Sequence, residues 1–118
     1  MSIIQIGDDS MFEYAESKDK VYIVVGSDKF ISFPKSYMSD IPRDTLDGLI
    51  RWYLTGEPSG DFLKSVLKND LVGAVCKADK SNFRALEHIT KFVYNYMPSS
   101  SWGAYSYQYW GGVLNDDE

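Results

Sequence analysis

The chain has 118 residues, 44% hydrophobic and 25% charged, the composition of one folded domain with an ordinary core. These proportions exclude a disordered, collagen-like or disulfide-scaffold protein, and no apolar run approaches the roughly 18 residues of a membrane helix. The formal charge of −5 makes direct nucleic-acid binding unexpected, because that affinity comes from Lys and Arg. A single cysteine, Cys76, forbids an internal disulfide and fits a reducing cytosol.

The excess negative charge lies at the two ends of the chain. Residues 1–16 carry −4 and residues 99–118 carry −3, with no Lys or Arg in either segment, whereas residues 17–98 carry +2. Such ends either keep the protein in solution or form a negative surface for a basic partner. The acids are Asp8, Asp9, Glu13, Glu16, Asp116, Asp117 and Glu118.

Short β-prone runs occupy the first third of the chain. Residues 2–6, 11–15, 20–25 and 29–33 are the predicted strands. The turn after residue 25 contains Gly, Ser and Asp, which is typical of a hairpin joining the last two strands. The sequence therefore predicts a small N-terminal antiparallel sheet.

Between Pro34 and Pro98 the apolar residues recur at helical spacing. One helix is predicted to begin near Pro42 and to stop at Gly56. The next begins at residues 59–61, and Asn69-Asp70 is read as a break and a new cap. Asp79 is predicted to cap the longest helix, residues 80–97. The expected core comprises Ile23, Val25, Ile31, Phe33, Leu46, Leu49, Ile50, Tyr53, Phe62, Leu63, Val66, Leu67, Val75, Phe83, Leu86, Ile89 and Val93.

The last twenty residues hold five of the eighteen aromatic residues. Tyr105, Tyr107 and Tyr109 alternate with polar residues, so a strand would place all three on one face. Five exposed aromatics would form a patch that monomers rarely keep, so the tail packs on its own domain, on another copy or on a foreign partner. The candidate partner-binding residues are Trp102, Tyr105, Tyr107, Tyr109, Trp110, Asp116 and Asp117.

Catalytic and metal-binding constellations are not evident in the sequence. One Cys and one His cannot supply a zinc site, and no cofactor is expected. Cys76 and His88 would be about 18 Å apart on one continuous helix, too far for a nucleophile and its base. Cys76 is therefore expected to be a buried inert thiol, with His88 on the solvated side of the last helix. The protein is predicted not to be an enzyme.

A second set of residues predicts a site for an anion or an acidic partner. Gly60 stands at a helix start, where a phosphate can bind, although we favour a plain turn between two helices. Basic residues then recur at spacings of three and four, as a solvated helix face or as a binding strip for an acidic partner such as the tail of a neighbouring copy. The candidate residues are Gly60, Lys77, Lys80, Arg84, His88 and Lys91.

The middle of the chain resembles a family of small uncharacterised proteins encoded by tailed bacteriophages and prophages. The resemblance covers residues 40–103 and rests on 56–63 (GEPSGDFL), 66–71 (VLKNDL), Ala74, 78–79 (AD), Asn82, 85–86 (AL), 93–95 (VYN), Pro98 and 102–103 (WG). The family has no assigned activity, so the resemblance implies only a setting, the cytoplasm of an infected bacterium. Asn69, Asn82 and Asn95 either satisfy backbone groups, which we favour, or line a shallow recognition site.

The predicted fold is α+β, with a small N-terminal antiparallel sheet packed on three to four helices in one domain, residues 1–98. An aromatic and acidic tail, residues 99–118, adds a strand or a docking arm. We expect a non-enzymatic phage accessory protein that binds and inhibits or modulates a host protein, either a defence enzyme or a nucleic-acid enzyme. The mechanism would be acidic mimicry or steric block, without a membrane. The alternatives are a module that sequesters a nucleotide or small anion between subunits, and a virion or assembly component; homo-oligomers are compatible with each.

Overall fold

The structure, a computed structural model, describes residues 2–6 (backbone only), 11–58 and 60–115. Four antiparallel strands come first and lie side by side in chain order: β1 (Ser2–Ile6), β2 (Glu13–Glu16), β3 (Lys20–Val25) and β4 (Asp28–Pro34). Gly26, at φ +63°, makes the tight turn between β3 and β4 because glycine adopts this backbone conformation without strain. The predicted N-terminal sheet and its hairpin are confirmed.

The described helices follow the sheet. They are α1 (Ser36–Asp40), α2 (Arg43–Thr55), α3 (Asp61–Leu67), α4 (Leu71–Lys77), α5 (Lys80–Arg84) and α6 (Leu86–Tyr96). Three short 3₁₀ helices complete the described chain: Ser99–Ser101, Ser106–Tyr109 and Val113–Asn115. The α+β class is confirmed, but the helices are shorter and more numerous than the three or four expected.

Residues 80–97 do not form the single long helix that their periodicity predicted. Ala85 takes φ −94° and ψ 4°, outside the helical region, and separates α5 from α6. Ala85 is itself buried, whereas no residue of α5 is buried. Phe83 was predicted in the core but is 56% exposed, because none of the described elements covers the side of α5 that carries this ring.

The break at Asn69-Asp70 is confirmed and has a specific geometry. Asn69 adopts φ +65°, and its N–H donates to the Val66 carbonyl at 3.0 Å. The Asp70 N–H donates to the Ser65 carbonyl at 2.8 Å, which completes the Schellman pattern that ends α3. The Asp70 carboxylate then accepts from the Gly73 N–H at 3.0 Å and so caps α4.

Two further predicted boundaries are also present. Gly56 takes φ +77° directly after α2 and ends it. The Asp79 carboxylate accepts from the Asn82 N–H at 2.8 Å and caps α5. Asn82 also accepts a hydrogen bond from the buried Thr45 hydroxyl, so its amide joins α5 to α2.

The core lies between one face of the sheet and the helices α2 and α6. Tyr14 pairs with Ile23 across β2 and β3, and Val21 pairs with Phe33 across β3 and β4, which places these side chains on one face. Phe33 meets Phe92 of α6 edge to face, with ring centroids 5.0 Å apart. The α2 and α6 positions that complete this cluster are Leu46, Leu49, Ile50, Trp52, Leu54, Ile89 and Val93.

Candidate binding groove on the helical layer

The aromatic tail folds back on α2. The Tyr107 ring stacks on Trp52 with 4.6 Å between centroids and 11° between planes. The Trp110 indole N–H donates to the Trp52 carbonyl at 2.8 Å, and the Trp52 indole N–H donates to the Ser101 carbonyl at 2.7 Å. Tyr107 and Trp110, two of the predicted partner-binding residues, therefore pack within the chain.

The backbone at the end of the tail lies in close contact with the end of α2. Gly112, at φ +92°, lies so near α2 that a Cβ atom there would come within 2.4 Å of the Leu54 carbonyl oxygen. At Gly56 a Cβ atom would meet the Gly111 backbone at 2.8 Å. Glycine on both sides of this contact lets the two backbones touch.

The predicted tail strand, with its three tyrosines on one face, is wrong. Residues 106–109 form a 3₁₀ helix, which points Tyr107 inward and leaves Tyr105 and Tyr109 exposed, their ring centroids 5.0 Å apart. The period of three in a 3₁₀ helix separates the tyrosines that a period of two would have aligned. Asp116 and Asp117, like Asp8, Asp9 and Glu118, lie outside the described residues.

The predicted basic strip is divided among three helices. Lys77 ends α4, Lys80 and Arg84 belong to α5, and His88 and Lys91 belong to α6. The five residues would form one stripe only on a continuous helix, and the structure has no such helix over the described residues 77–91.

Two members of the strip also have acidic neighbours. His88 Nδ1 lies 3.8 Å from a carboxylate oxygen of Asp40. Lys91 donates to Glu87 at 2.7 Å, and this hydrogen bond lowers the pKa of Glu87 and raises the pKa of Lys91. Because both groups are exposed, their ion pair adds little stability.

Gly60 and Lys77 do come together, in a polar cavity of about 360 Å³. Asp44, Asp61 and Asp79 line the same cavity, beside the first turns of α2, α3 and α5. These three carboxylates offset the positive ends of the helices and outnumber the one ammonium group, which disfavours a phosphate there. Within the described ranges, no three His, Cys, Asp or Glu residues are grouped so as to hold a metal ion.

An apolar groove of about 420 Å³ lies between α4 and α6. Trp102 lies in it, with its ring centroid 6.1 Å from that of Tyr94. The Trp102 indole nitrogen is buried and has no hydrogen-bond partner among the described residues. A buried donor without an acceptor is costly, so the Trp102 indole N–H is an unmet donor within the described part of the chain. The groove is lined by Val66, Asn69, Asp70, Leu71, Ala74, Leu86, Thr90, Lys91, Val93, Tyr94 and Trp102.

The outer side of α4, next to this groove, is apolar and uncovered. Leu71 is 71% exposed, Val72 is 72% exposed and Val75 is 39% exposed, whereas α4 buries only Ala74. Their spacing places these three side chains on one side of the helix. Tyr94, on the opposite wall of the groove, is 71% exposed. We call Leu71, Val72, Val75 and Tyr94 the docking face.

Sequence reasoning missed the docking face because it equated apolar with buried. Val75 was predicted in the core and Cys76 was predicted to be a buried thiol, and both predictions are wrong. No described element packs over the outer side of this seven-residue helix. One signal was present in the sequence: residues 71–77 (LVGAVCK) contain a single charged residue, which is unusual for a helix in water.

Comparison with models of protein families, with curated proteins and with solved structures finds no match to this chain. Among the described residues, none of the helices has both the length and the apolar character needed to cross a bilayer. The description of the docking face and its groove therefore rests on their own contacts, exposure and dimensions.

Proposed function

We propose that the protein is a non-enzymatic phage accessory protein that binds a host protein through the docking face and inhibits or modulates it by steric block. The observation that carries this proposal is the exposure of Leu71, Val72 and Tyr94 around one groove. Clustered apolar side chains in water are a cost that monomers rarely keep without a binding role. The proposed setting is the cytoplasm of an infected bacterium.

The groove also connects this surface with the phage resemblance. Every residue lining it, apart from Thr90 and Lys91, belongs to the stretches through which the chain resembles small phage and prophage proteins. Asn69 and Asp70 have structural roles, because Asn69 ends α3 and Asp70 caps α4. Leu71 and Tyr94 have no comparable packing role, because most of each side chain lies in water, and this supports a role in binding.

A pull-down from bacterial lysate with matched variants tests the proposal. The double variant Leu71→Asn/Val72→Thr removes apolar surface without adding charge, and Lys18→Glu, in the exposed β2–β3 turn, is the control. A host protein retained by the wild type and by Lys18→Glu, but lost from the double variant, is expected. That host protein is then purified and its activity measured with and without the phage protein.

The predicted tail contacts are tested in the same experiment by Tyr105→Ser/Tyr109→Ser. These two rings are exposed, so their removal leaves the fold intact. Loss of the host protein from this variant alone would move the site to the tail and refute the docking face. Retention of no host protein by any folded bait would refute the proposed function in that host.

A module that sequesters a nucleotide is the weaker alternative. Its candidate donors, Gly60 and Lys77, share their cavity with three carboxylates. Thermal shift against a nucleotide panel tests it, because a ligand at 100 times its Kd stabilises a protein by about 2.7 kcal/mol.

A further inference from the structure

We propose that two copies of the chain pair through the docking face, each placing its exposed α4 side chains in the groove of the other. The contact is two-fold symmetric, so it closes on itself and gives a dimer. This inference goes beyond the proposed function and does not depend on it. Three features of the surface support it: the uncharged outer side of α4, the polar groups of the groove that already have partners, and the apolar area.

The outer side of α4 carries no charged side chain. The three α4 residues of the docking face and Cys76 lie within one arc of about 140°, because successive residues of a helix are 100° apart. Lys77, the only charged residue of α4, lies on the opposite side, where its ammonium group donates to the Ser65 hydroxyl at 3.3 Å. Two such helix faces therefore meet without like charges between them, whereas a solvated helix face normally carries polar residues.

Three of the polar side chains that line the groove already have partners within the chain. Asp70 accepts from the α4 backbone at 3.0 Å, and the Thr90 hydroxyl donates to the α6 backbone at 2.7 Å. Lys91 donates to Glu87 at 2.7 Å. An occupant needs no charge of its own to match these groups, so the groove suits an uncharged apolar segment.

The docking face combines a ridge and a hollow on one patch. The ridge is formed by Leu71, Val72 and Val75, and the hollow is the adjoining groove of about 420 Å³, with Tyr94 on its far wall. A two-fold contact joins a surface to an identical surface, so it needs both shapes side by side. The ridge of α4 supplies the uncharged apolar segment that the groove suits, and a second copy presents that ridge in the required position.

The apolar area matches what a stable dimer needs. The four side chains of the docking face together expose roughly 400–500 Å². A standard interface buries about 800 Å² per partner, and about 65% of a homodimer interface is apolar, which corresponds to roughly 520 Å². The docking face alone supplies most of that area, because a two-fold contact uses it once from each copy.

The mass of the full-length protein in solution tests this inference. Sedimentation equilibrium over about a hundredfold range of concentration should give a wild-type mass that rises towards twice 13.4 kDa. Leu71→Asn/Val72→Thr removes part of the ridge and should raise the dissociation constant of the dimer at least tenfold. Tyr94→Ser removes the far wall of the groove and should do the same, whereas Lys18→Glu should dimerise like the wild type. Circular dichroism checks the fold of each variant, which the exposure of the substituted side chains leads us to expect.

Chemical cross-linking through Cys76 locates the contact independently of the mass. Cys76 is the only cysteine, is exposed and does not line the groove, so it lies at the rim of the docking face and stays accessible in the dimer. Packed helices lie 8–10 Å apart and α4 is about 10 Å long, so the two Cys76 residues would be within about 15 Å of each other. A flexible bismaleimide of that reach should link two wild-type chains, but not Leu71→Asn/Val72→Thr or Cys76→Ser.

Three results would overturn the dimer. They are a wild-type mass of 13.4 kDa at every concentration, a dimer that the double variant and Tyr94→Ser retain unchanged, and a wild-type dimer that Cys76 does not link. The pull-down separates this inference from the proposed function. A monomeric wild type that captures a host protein through Leu71 and Val72 would refute the dimer alone. A dimer that depends on these two residues, with no host protein captured, would support the dimer and refute the proposed function in that host.

Discussion

Replacing Gly112 by alanine should detach the tail from α2. Two costs act at this position. Gly112 has φ +92°, which an L-residue adopts only with strain, and its Cβ would lie 2.4 Å from the Leu54 carbonyl oxygen and 2.5 Å from Thr55 backbone atoms. Backbone atoms of a helix cannot move aside as the end of a flexible side chain can.

The chain contains two controls that separate these costs. Gly111 has open space around its Cβ direction and no positive φ, so Gly111→Ala should change stability little. Gly103 has φ +109° but nothing within 4 Å, so Gly103→Ala should cost about 1–2 kcal/mol from backbone strain alone. Gly112→Ala adds the steric clash and should cost about 2–5 kcal/mol.

Urea unfolding followed by tryptophan fluorescence measures all three variants. Trp52 and Trp110 report directly, because the Trp110 indole bonds to the Trp52 carbonyl in the docked tail. We expect Gly112→Ala to lower the free energy of unfolding most and to alter the native emission spectrum. If Gly112→Ala is no more destabilising than Gly103→Ala, the close approach of the tail to α2 is refuted.

Three further predictions concern separate parts of the molecule. Asp79→Ala should destabilise the protein by about 1 kcal/mol through loss of the α5 cap, while Asp79→Asn should retain most of that stability in urea unfolding. Burial raises the pKa of Tyr53 above 10.0, so the folded state holds this proton more tightly than the unfolded chain. The resulting stabilisation is complete below pH 10 and is lost as the pH rises through the folded-state pKa, so Tyr53→Phe should flatten the fall in stability between pH 9 and 11. Cys76 is exposed and should react with one equivalent of a thiol reagent in the native state, whereas a rate equal to that of global unfolding would show that it is buried.

The parts of the fold that the sequence predicts well depend on local chemistry. Gly56 ends a helix because its φ is positive, and Asp79 begins one because its carboxylate reaches a backbone N–H three residues on. Asn69 is a helix stop because asparagine tolerates the left-handed region better than most residues. Each of these interactions spans a few residues, so a single sequence is enough to indicate it.

The candidate site depends on contacts that sequence spacing does not encode. The burial of Val75 depends on which other elements cover α4. The residues next to Val75 in the sequence do not carry that information. Likewise, Tyr107 turns inward because Trp52, fifty-five residues earlier, offers a ring on which to stack. The alternation of tyrosines suggested a strand because the local pattern was read without that distant partner.

The tail and the groove cannot be perturbed independently by truncation. Trp102 belongs to the segment after Pro98, and it lies in the groove between α4 and α6. Removing that segment would also take away Tyr107 and Trp110, which cover Trp52. If a truncated protein fails to bind a partner, the cause is therefore ambiguous. It would have lost Trp102 from the groove and the aromatic residues that pack on Trp52, as well as any direct contact made by the tail. Point variants at exposed side chains separate the possibilities, since Leu71→Asn/Val72→Thr alters only the docking face and Tyr105→Ser/Tyr109→Ser alters only the solvent side of the tail.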